Sequence, residues 1–217
     1  MLDNLKQVVE SVNVGVPQTF EFGGKTIETS MLKTAIPEIA VSFTSIDGDR
    51  FANANFHGTP DSLLYAYGRD AMAPYAGKLG RSLIVAGELG ENITLAQLDE
   101  AAVSVGDRFK IGTVLAEATF PRIPCTKLNF VFQNSFAQRA MIEVGRSGIY
   151  FRILEAGVIR AGDSFERVSR AKTEFTIADV YRRMVGPLKL SAADYSRALD
   201  NGAFPADRLE KWSRIFA

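Results

Sequence analysis

The chain has 217 residues, 47% hydrophobic and 23% charged, and its 25 Lys plus Arg balance its 25 Asp plus Glu. That is long enough to bury a core without covalent staples, as one large domain or one domain with an appendage. Zero formal net charge gives no global case for nucleic acid or an anionic membrane as partner, a single cysteine rules out an internal disulfide or a multi-cysteine zinc site, and no apolar run approaches a membrane span. The first residues, "MLDNLKQVVESVNVGV", carry acidic side chains early and no unbroken apolar core, so they do not read as a signal peptide. A cytoplasmic, reducing setting is expected for such a chain.

In chain order, "VNVGVP" and "QTFEFGGKTIET" are β-prone runs, the second turning at Gly23–Gly24. "VSFTSIDGDRF" predicts a strand running into a turn. "DSLLYAYGRDAMAPYAG", from Asp61, places Leu63, Leu64, Tyr67 and Ala71 at helical spacing, interrupted by Gly68, and predicts a helix. Thr94 and Gln97 suit a capping box and a short helical turn. "RFKIGTVLAEATF" turns at Gly112 and then alternates Val114, Ala116 and Ala118 with Leu115, Glu117 and Thr119, the pattern of a half-buried strand. "GIYFRILEAGVIRAGDSFERVSR" predicts further strands with turns near Ala156–Gly157 and Ala161–Gly162.

Gly-Asp-x-Phe occurs at Gly48–Phe51, Gly106–Phe109 and Gly162–Phe165. The flanks do not match, so it reads as a recurring turn device rather than a repeat, with a positive φ before a strand.

After about residue 172 the texture changes to three short helices. Thr176, Ser191 and Pro205 mark their starts, and Gly186–Pro187 and Gly202 mark ends. Each is too short to be stable alone. They are expected to pack as one unit through Val180, Met184, Leu190, Tyr195, Leu199, Leu209, Trp212 and Phe216. The expected division is a β-rich body over residues 1–170 and a helical extension over 171–217.

"FPRIPCTKLNF" holds the only cysteine, Cys125. Pro121 and Pro124 stiffen the segment, and Arg122 and Lys127 are cations that favour a thiolate. Read alone, a single cysteine is more often a small buried hydrophobe. His57 is the only histidine. With Cys125 it could form a thiol–imidazole pair, or it could be a hydrogen-bonded loop residue. "FGGK" lacks phosphate-loop spacing, and no His pair or calcium loop is present.

Taken together, "SIDGDRFANANFHGTPDSLLYAY", "GRSLIVAGELGENITLAQLDEAAVSVGDRFKIG" and "PRIPCTKL" resemble, in order and spacing, the motif blocks of the MOSC family (molybdenum cofactor sulfurase C-terminal domain). The helical tail resembles the extension of its YiiM-like branch. The resemblance implies a mainly β fold: a MOSC-type barrel of the pyruvate-kinase-barrel kind, with a few helices and a small three-helix unit. It implies a molybdenum cofactor, molybdopterin with molybdenum, with Cys125 as metal ligand. A soft thiolate suits such a centre.

It further implies Arg122, Lys127 and Lys33 on the cofactor's phosphate or pterin, His57 and Asn92 in the pocket, and Asp49 and Asp61 at matching acidic positions. Cys125 and His57 are the catalytic candidates. The implied activity is reduction of small N-hydroxylated compounds of the hydroxylaminopurine type to amines. The chain has no dinucleotide-binding glycine motif and no cysteine set for an iron–sulfur cluster, so a separate electron-donating reductase is an expected partner.

Thr59, Ser62, Ile123 and the Asn53–Asn55 region depart from the family pattern. Two other readings stand beside the reductase: a sulfur carrier using a Cys125 persulfide, and a non-catalytic binding module. Tyr181, Tyr195, Trp212 and Phe216 suit either sealing the barrel or a homodimer contact.

Overall fold

The computed structural model describes residues 5–52, 59–172, 175–185 and 190–216, with the side chains of Ile215 and Phe216 outside the description. Twelve strands are present among these residues: β1 (Lys6–Val14), β2 (Gln18–Phe22), β3 (Lys25–Thr29), β4 (Thr34–Ile36), β5 (Glu38–Val41), β6 (Leu64–Gly68), β7 (Ile93–Leu95), β8 (Arg108–Ile111), β9 (Val114–Pro121), β10 (Ile149–Glu155), β11 (Gly157–Arg160) and β12 (Ser164–Ser169). The helices are α1 (Arg69–Lys78), α2 (Lys127–Val131), α3 (Ala137–Val144), α4 (Ile177–Val185), α5 (Ala192–Asn201) and α6 (Ala206–Phe216).

Seven strands close a barrel in the order β12, β8, β9, β10, β6, β7, β1 and back to β12. Every neighbour is antiparallel except β6 with β7. Closure leaves no exposed edge around the ring. β4 extends β1, while β2 with β3 and β5 with β11 form separate two-stranded ribbons.

The turn device explains part of the core. Gly48, Gly106 and Gly162 all hold positive φ, at 78°, 93° and 94°. At the second and third copies the Asp side chain accepts an amide three residues earlier, Asp107 from Ser104 and Asp163 from Arg160. The phenylalanines that follow, Phe109 and Phe165, point into the barrel and pack with Phe151, with centroid separations of 4.8, 5.6 and 6.0 Å. The first copy is used differently, as described below.

Several expectations are corrected. Leu64–Gly68 is a strand, not the start of a helix, and all five residues are buried. A strand covered on both faces has no alternation, so its apolar run matches helical spacing equally well. Gly68 ends it where a Cβ would lie 2.7 Å from the Leu98 amide nitrogen, and α1 begins only at Arg69. Thr94 sits mid-strand in β7, its hydroxyl bonded to Glu91 rather than capping a helix.

β9 is buried from Ala116 to Pro121 rather than half-buried, because α4 and α6 cover its outer face. Glu117 is tolerated there by pairing with Arg108 and Arg152 at 3.0 and 3.4 Å.

The tail helices form near their predicted limits. Ser191 and Asp194 make a reciprocal capping box, and Gly202 ends α5 in the left-handed region at φ 69°. Thr176 caps α4 through the Asp179 amide at 3.1 Å. Pro205 precedes α6 rather than opening it. Trp212 is fully buried between Phe204 and Phe120 and donates to the Met184 sulfur at 3.0 Å. Val180, Met184, Leu190, Tyr195 and Leu209 join the same core, but Leu199 does not, being 49% exposed. Phe216 lies outside the described side chains.

Candidate functional site

A small cleft opens on the barrel's outer wall, lined by both polar and apolar side chains. Its lining comes from four separated stretches: the end of β3 and the loop to Lys33, Phe51 after the first turn device, the Gly90–Asn92 loop, and the β9–α2 segment. Tyr65 from β6 and Tyr150 from β10 complete it, 5.0 Å apart between ring centroids.

The β9–α2 segment is held by its sequence. Pro121 is the last residue of β9, and the Cys125 carbonyl accepts the Leu128 amide at 3.1 Å as α2 begins. Gln138 donates to the Pro124 carbonyl at 3.0 Å and ties the loop to α3. Arg122 is therefore fixed at the bottom of the cleft, 6% exposed. Its guanidinium donates to the Leu89 carbonyl and lies 5.2 Å above the Tyr65 ring. Burial opposes its charge, but Tyr65, Tyr150 and Cys125 hold its pKa above the ordinary value.

On the opposite strand connection Lys33, 8% exposed, pairs with Asp49 and lies 5.9 Å from the Phe51 centroid. Burial pushes the Lys33 pKa down while Asp49 resists that shift. The first turn device thus supplies both a counter-ion and a ring to the cleft. Asp49 also accepts the Gly15 amide at 2.8 Å and the Asn92 carboxamide at 2.9 Å. Asn92 in turn accepts the Tyr65 amide at 3.2 Å and donates to the Asn13 carbonyl at 3.2 Å, so it braces three strands.

Lys33 and Asp49 cancel in charge. Among the described residues neither Arg122 nor Lys127 makes an ion pair with a carboxylate, although the buried Glu91 carboxyl acts on Arg122 through space. The buried Ser30 hydroxyl, in a residue that also lines the cleft, has no hydrogen-bond partner among the described residues. Gly90 holds φ 84°, and a Cβ there would sit 3.4 Å from the Arg122 guanidinium. Cations, an orphaned hydroxyl and a glycine-relieved wall together make an anion cradle beside two aromatic rings.

Of the residues singled out from the sequence, the fold brings Lys33, Asn92, Arg122 and Lys127 onto one cleft, with Asp49 just behind. Cys125 is half-buried and does not line the cleft itself. It is close enough to act electrostatically on Arg122 and Tyr150, which do. Asp61 turns away to Arg152 at 3.3 Å. His57 lies outside the described residues. Sequence reasoning missed Tyr65, Tyr150, Phe51 and Ser30. Tyr65 and Tyr150 carried no signal of their own, Phe51 was marked only as the end of the first Gly-Asp-x-Phe turn, and Ser30 stands three residues before Lys33.

Among the described residues, no group of three or more His, Cys, Asp or Glu is placed to hold a metal ion. None of their helices is long and apolar enough to cross a membrane.

The chain is similar to known proteins along most of its length. It is 33% identical to YflK of Bacillus subtilis over 170 residues, covering 78% of this chain and 76% of that one. It is 31% identical over 144 residues to a protein of Gibberella moniliformis named "Reductase", covering 65% of this chain but 26% of that protein. The crystal structure of YiiM from Geobacillus stearothermophilus superposes with a TM-score of 0.79 at 29% identity, covering 98% of this chain and all of that one. The sequence profile of the MOSC domain matches residues 53–166, which is more than half of the chain. Profile, relatives and barrel agree: the chain belongs to the MOSC domain family.

Proposed function

We infer that this protein holds a molybdenum cofactor in the cleft and reduces small N-hydroxylated compounds, hydroxylaminopurines among them, to amines. The observation that carries the reading is the anion cradle itself: among the described residues Arg122 and Lys127 have no carboxylate ion pair and the Ser30 hydroxyl no partner, beside the Cys125 loop. These residues fit the group. The phosphate would be held by Arg122, Lys127 and Ser30, with Lys33, its charge balanced by Asp49, as a further hydrogen-bond donor, and the metal by the Cys125 thiolate.

Once bound, molybdenum supplies the two-electron chemistry; the protein supplies placement and field. The balance is one hydroxylamine, two electrons and two protons giving one amine and one water. The electrons come from a separate reductase protein, and the reducing cytosol is the setting that keeps Cys125 a free ligand. Tyr150, partly exposed and backed by the buried Tyr65 ring, offers an aromatic surface to a planar substrate. Burial raises both phenol pKa values, so both stay neutral, and the Tyr65 hydroxyl donates to the Ser147 carbonyl at 2.6 Å. Family membership, the YiiM fold and a relative named as a reductase support a redox role.

The test is protein produced in a host that makes the cofactor, supplied with a reduced viologen and a hydroxylaminopurine. Amine formation by the loaded protein, absent from the same protein freed of cofactor, is expected. Loaded protein that leaves every hydroxylamine intact would overturn the reading. One observation favours the persulfide alternative: Cys125 stands beside the cleft rather than in its lining. A thiol-reversible gain of one sulfur on Cys125, measured by intact mass, would support it.

A further inference from the structure

Helix α6 packs on the barrel wall at Phe120 of β9. Trp212 packs on Phe120 with 6.4 Å between ring centroids. One turn earlier, Arg208 places its guanidinium 5.0 Å from the centroid of the same Phe120 ring. Phe120 stands directly across from Tyr150 in the β9–β10 register, and Tyr150 lines the cleft. The path from cleft to helix is therefore Tyr150, Phe120, Arg208. Arg208 is near enough to Tyr150 to draw its phenol pKa down, as Arg122 also does, against the larger upward effect of burial. Tyr150 thus feels the charge of guanidinium groups from two different elements.

Arg208 is poorly neutralised. Its carboxylate partner is Asp207 at 3.5 Å, and Lys211 draws on the same carboxylate at 3.7 Å. Two cations share one anion. They are three residues apart on one helix and so lie on neighbouring positions of one face. With Asp207 counted the cluster keeps one net positive charge, and its guanidinium and ammonium donors suit the several oxygens of a phosphate monoester.

We propose that Arg208, assisted by Lys211, forms a second anion site that takes the phosphate of the substrate, so that the cleft accepts a nucleotide in preference to its free base. Its substrate part rests on the reductase reading above. Arg122 and Lys127 serve the cofactor from the β9–α2 loop, and Arg208 serves the substrate from the tail. This gives the three-helix extension a role in specificity as well as in packing.

Calorimetry on the full chain carrying its cofactor tests this with adenosine 5′-monophosphate and adenosine as probes. The monophosphate is expected to bind more tightly than adenosine. Arg208→Met keeps the stem over Phe120 and removes the charge; it should weaken monophosphate binding roughly tenfold and leave adenosine unchanged. Arg208→Lys should keep much of the affinity.

Lys211→Met, at a side chain 58% exposed, gives a second reading free of folding effects and should weaken the monophosphate about threefold. Equal affinity for both probes, or monophosphate binding indifferent to both positions, would overturn the proposal. Reduction of a hydroxylaminopurine is measured on the same samples. No reduction with charge-dependent monophosphate binding removes the reductase reading alone. Reduction with charge-independent binding removes this inference alone.

Discussion

Removing the Asp49 carboxylate should cost more than removing its partner, and the difference can be worked from the contacts. Asp49 serves three donors: the Lys33 ammonium, the Gly15 amide and the Asn92 carboxamide. In Asp49→Ala, Lys33 becomes an uncompensated charge at a site 8% exposed, which costs about 3–5 kcal/mol. The Gly15 amide loses its acceptor as well, adding about 1 kcal/mol, while Asn92 keeps the Asn13 carbonyl.

In Lys33→Met, by contrast, Asp49 retains two hydrogen bonds, so the loss should be about 2 kcal/mol smaller than for Asp49→Ala. The double variant Lys33→Met/Asp49→Ala removes the stranded charge and should recover about 3 kcal/mol of the single Asp49 loss. At roughly 2–4 °C per kcal/mol for a chain of this size, Asp49→Ala should melt on the order of 10 °C early. Urea unfolding at neutral pH, with a common slope for all variants, gives the free energies. Equal losses for the two single variants, or a double variant no more stable than Asp49→Ala, would refute the reasoning.

Two further outcomes follow from the same contacts. Glu91 is fully buried, one carboxylate oxygen bonded to the Gly87 amide and Thr94 hydroxyl and the other without a partner. Burial raises its pKa more than those bonds and Arg122 lower it. Its contribution is therefore greatest below the ordinary carboxylate pKa and falls as pH rises toward the folded value. Glu91→Gln should remove that decline, so its stability relative to the parent improves from pH 4 upward; a pH-independent difference in denaturation free energy would contradict this. Trp212→Ala should cost about 3–5 kcal/mol, because the side chain is fully buried between Phe204 and Phe120. A loss below about 1 kcal/mol would mean that the tail is not packed on the barrel as described.

What could be read from the sequence was mostly what backbone chemistry forces. Gly23, Gly24, Gly48, Gly106, Gly112 and Gly162 adopt positive φ, and each had marked a turn. Ser191 with Asp194 announced α5 because a reciprocal cap needs those side chains at that spacing. Burial set by tertiary packing was not legible. Nothing in Leu64–Gly68 distinguishes a strand covered on both faces from a helix, and nothing in β9 reveals that tail helices cover its outer side. Arg122 and Lys127 stood out as cations beside Cys125, Lys33 and Asn92 came from the family resemblance, and the fold explains why residues so far apart in the chain share a cleft. Tyr65 and Tyr150 escaped notice because a strand tyrosine lining a cleft has the same local pattern as one in a core. Arg208 escaped because its meaning depends on Phe120 and Tyr150, on strands distant in sequence.

The most direct test of the central claim is molybdenum content. The parent protein and Cys125→Ala, both made in a cofactor-competent host and shown to melt alike, are compared for bound metal and for sulfur neighbours by X-ray absorption. The parent should carry molybdenum with one sulfur ligand that Cys125→Ala lacks, and the variant should retain markedly less metal. Equal molybdenum with identical sulfur coordination in both proteins would contradict Cys125 as the ligand and the cleft as a redox site built around it.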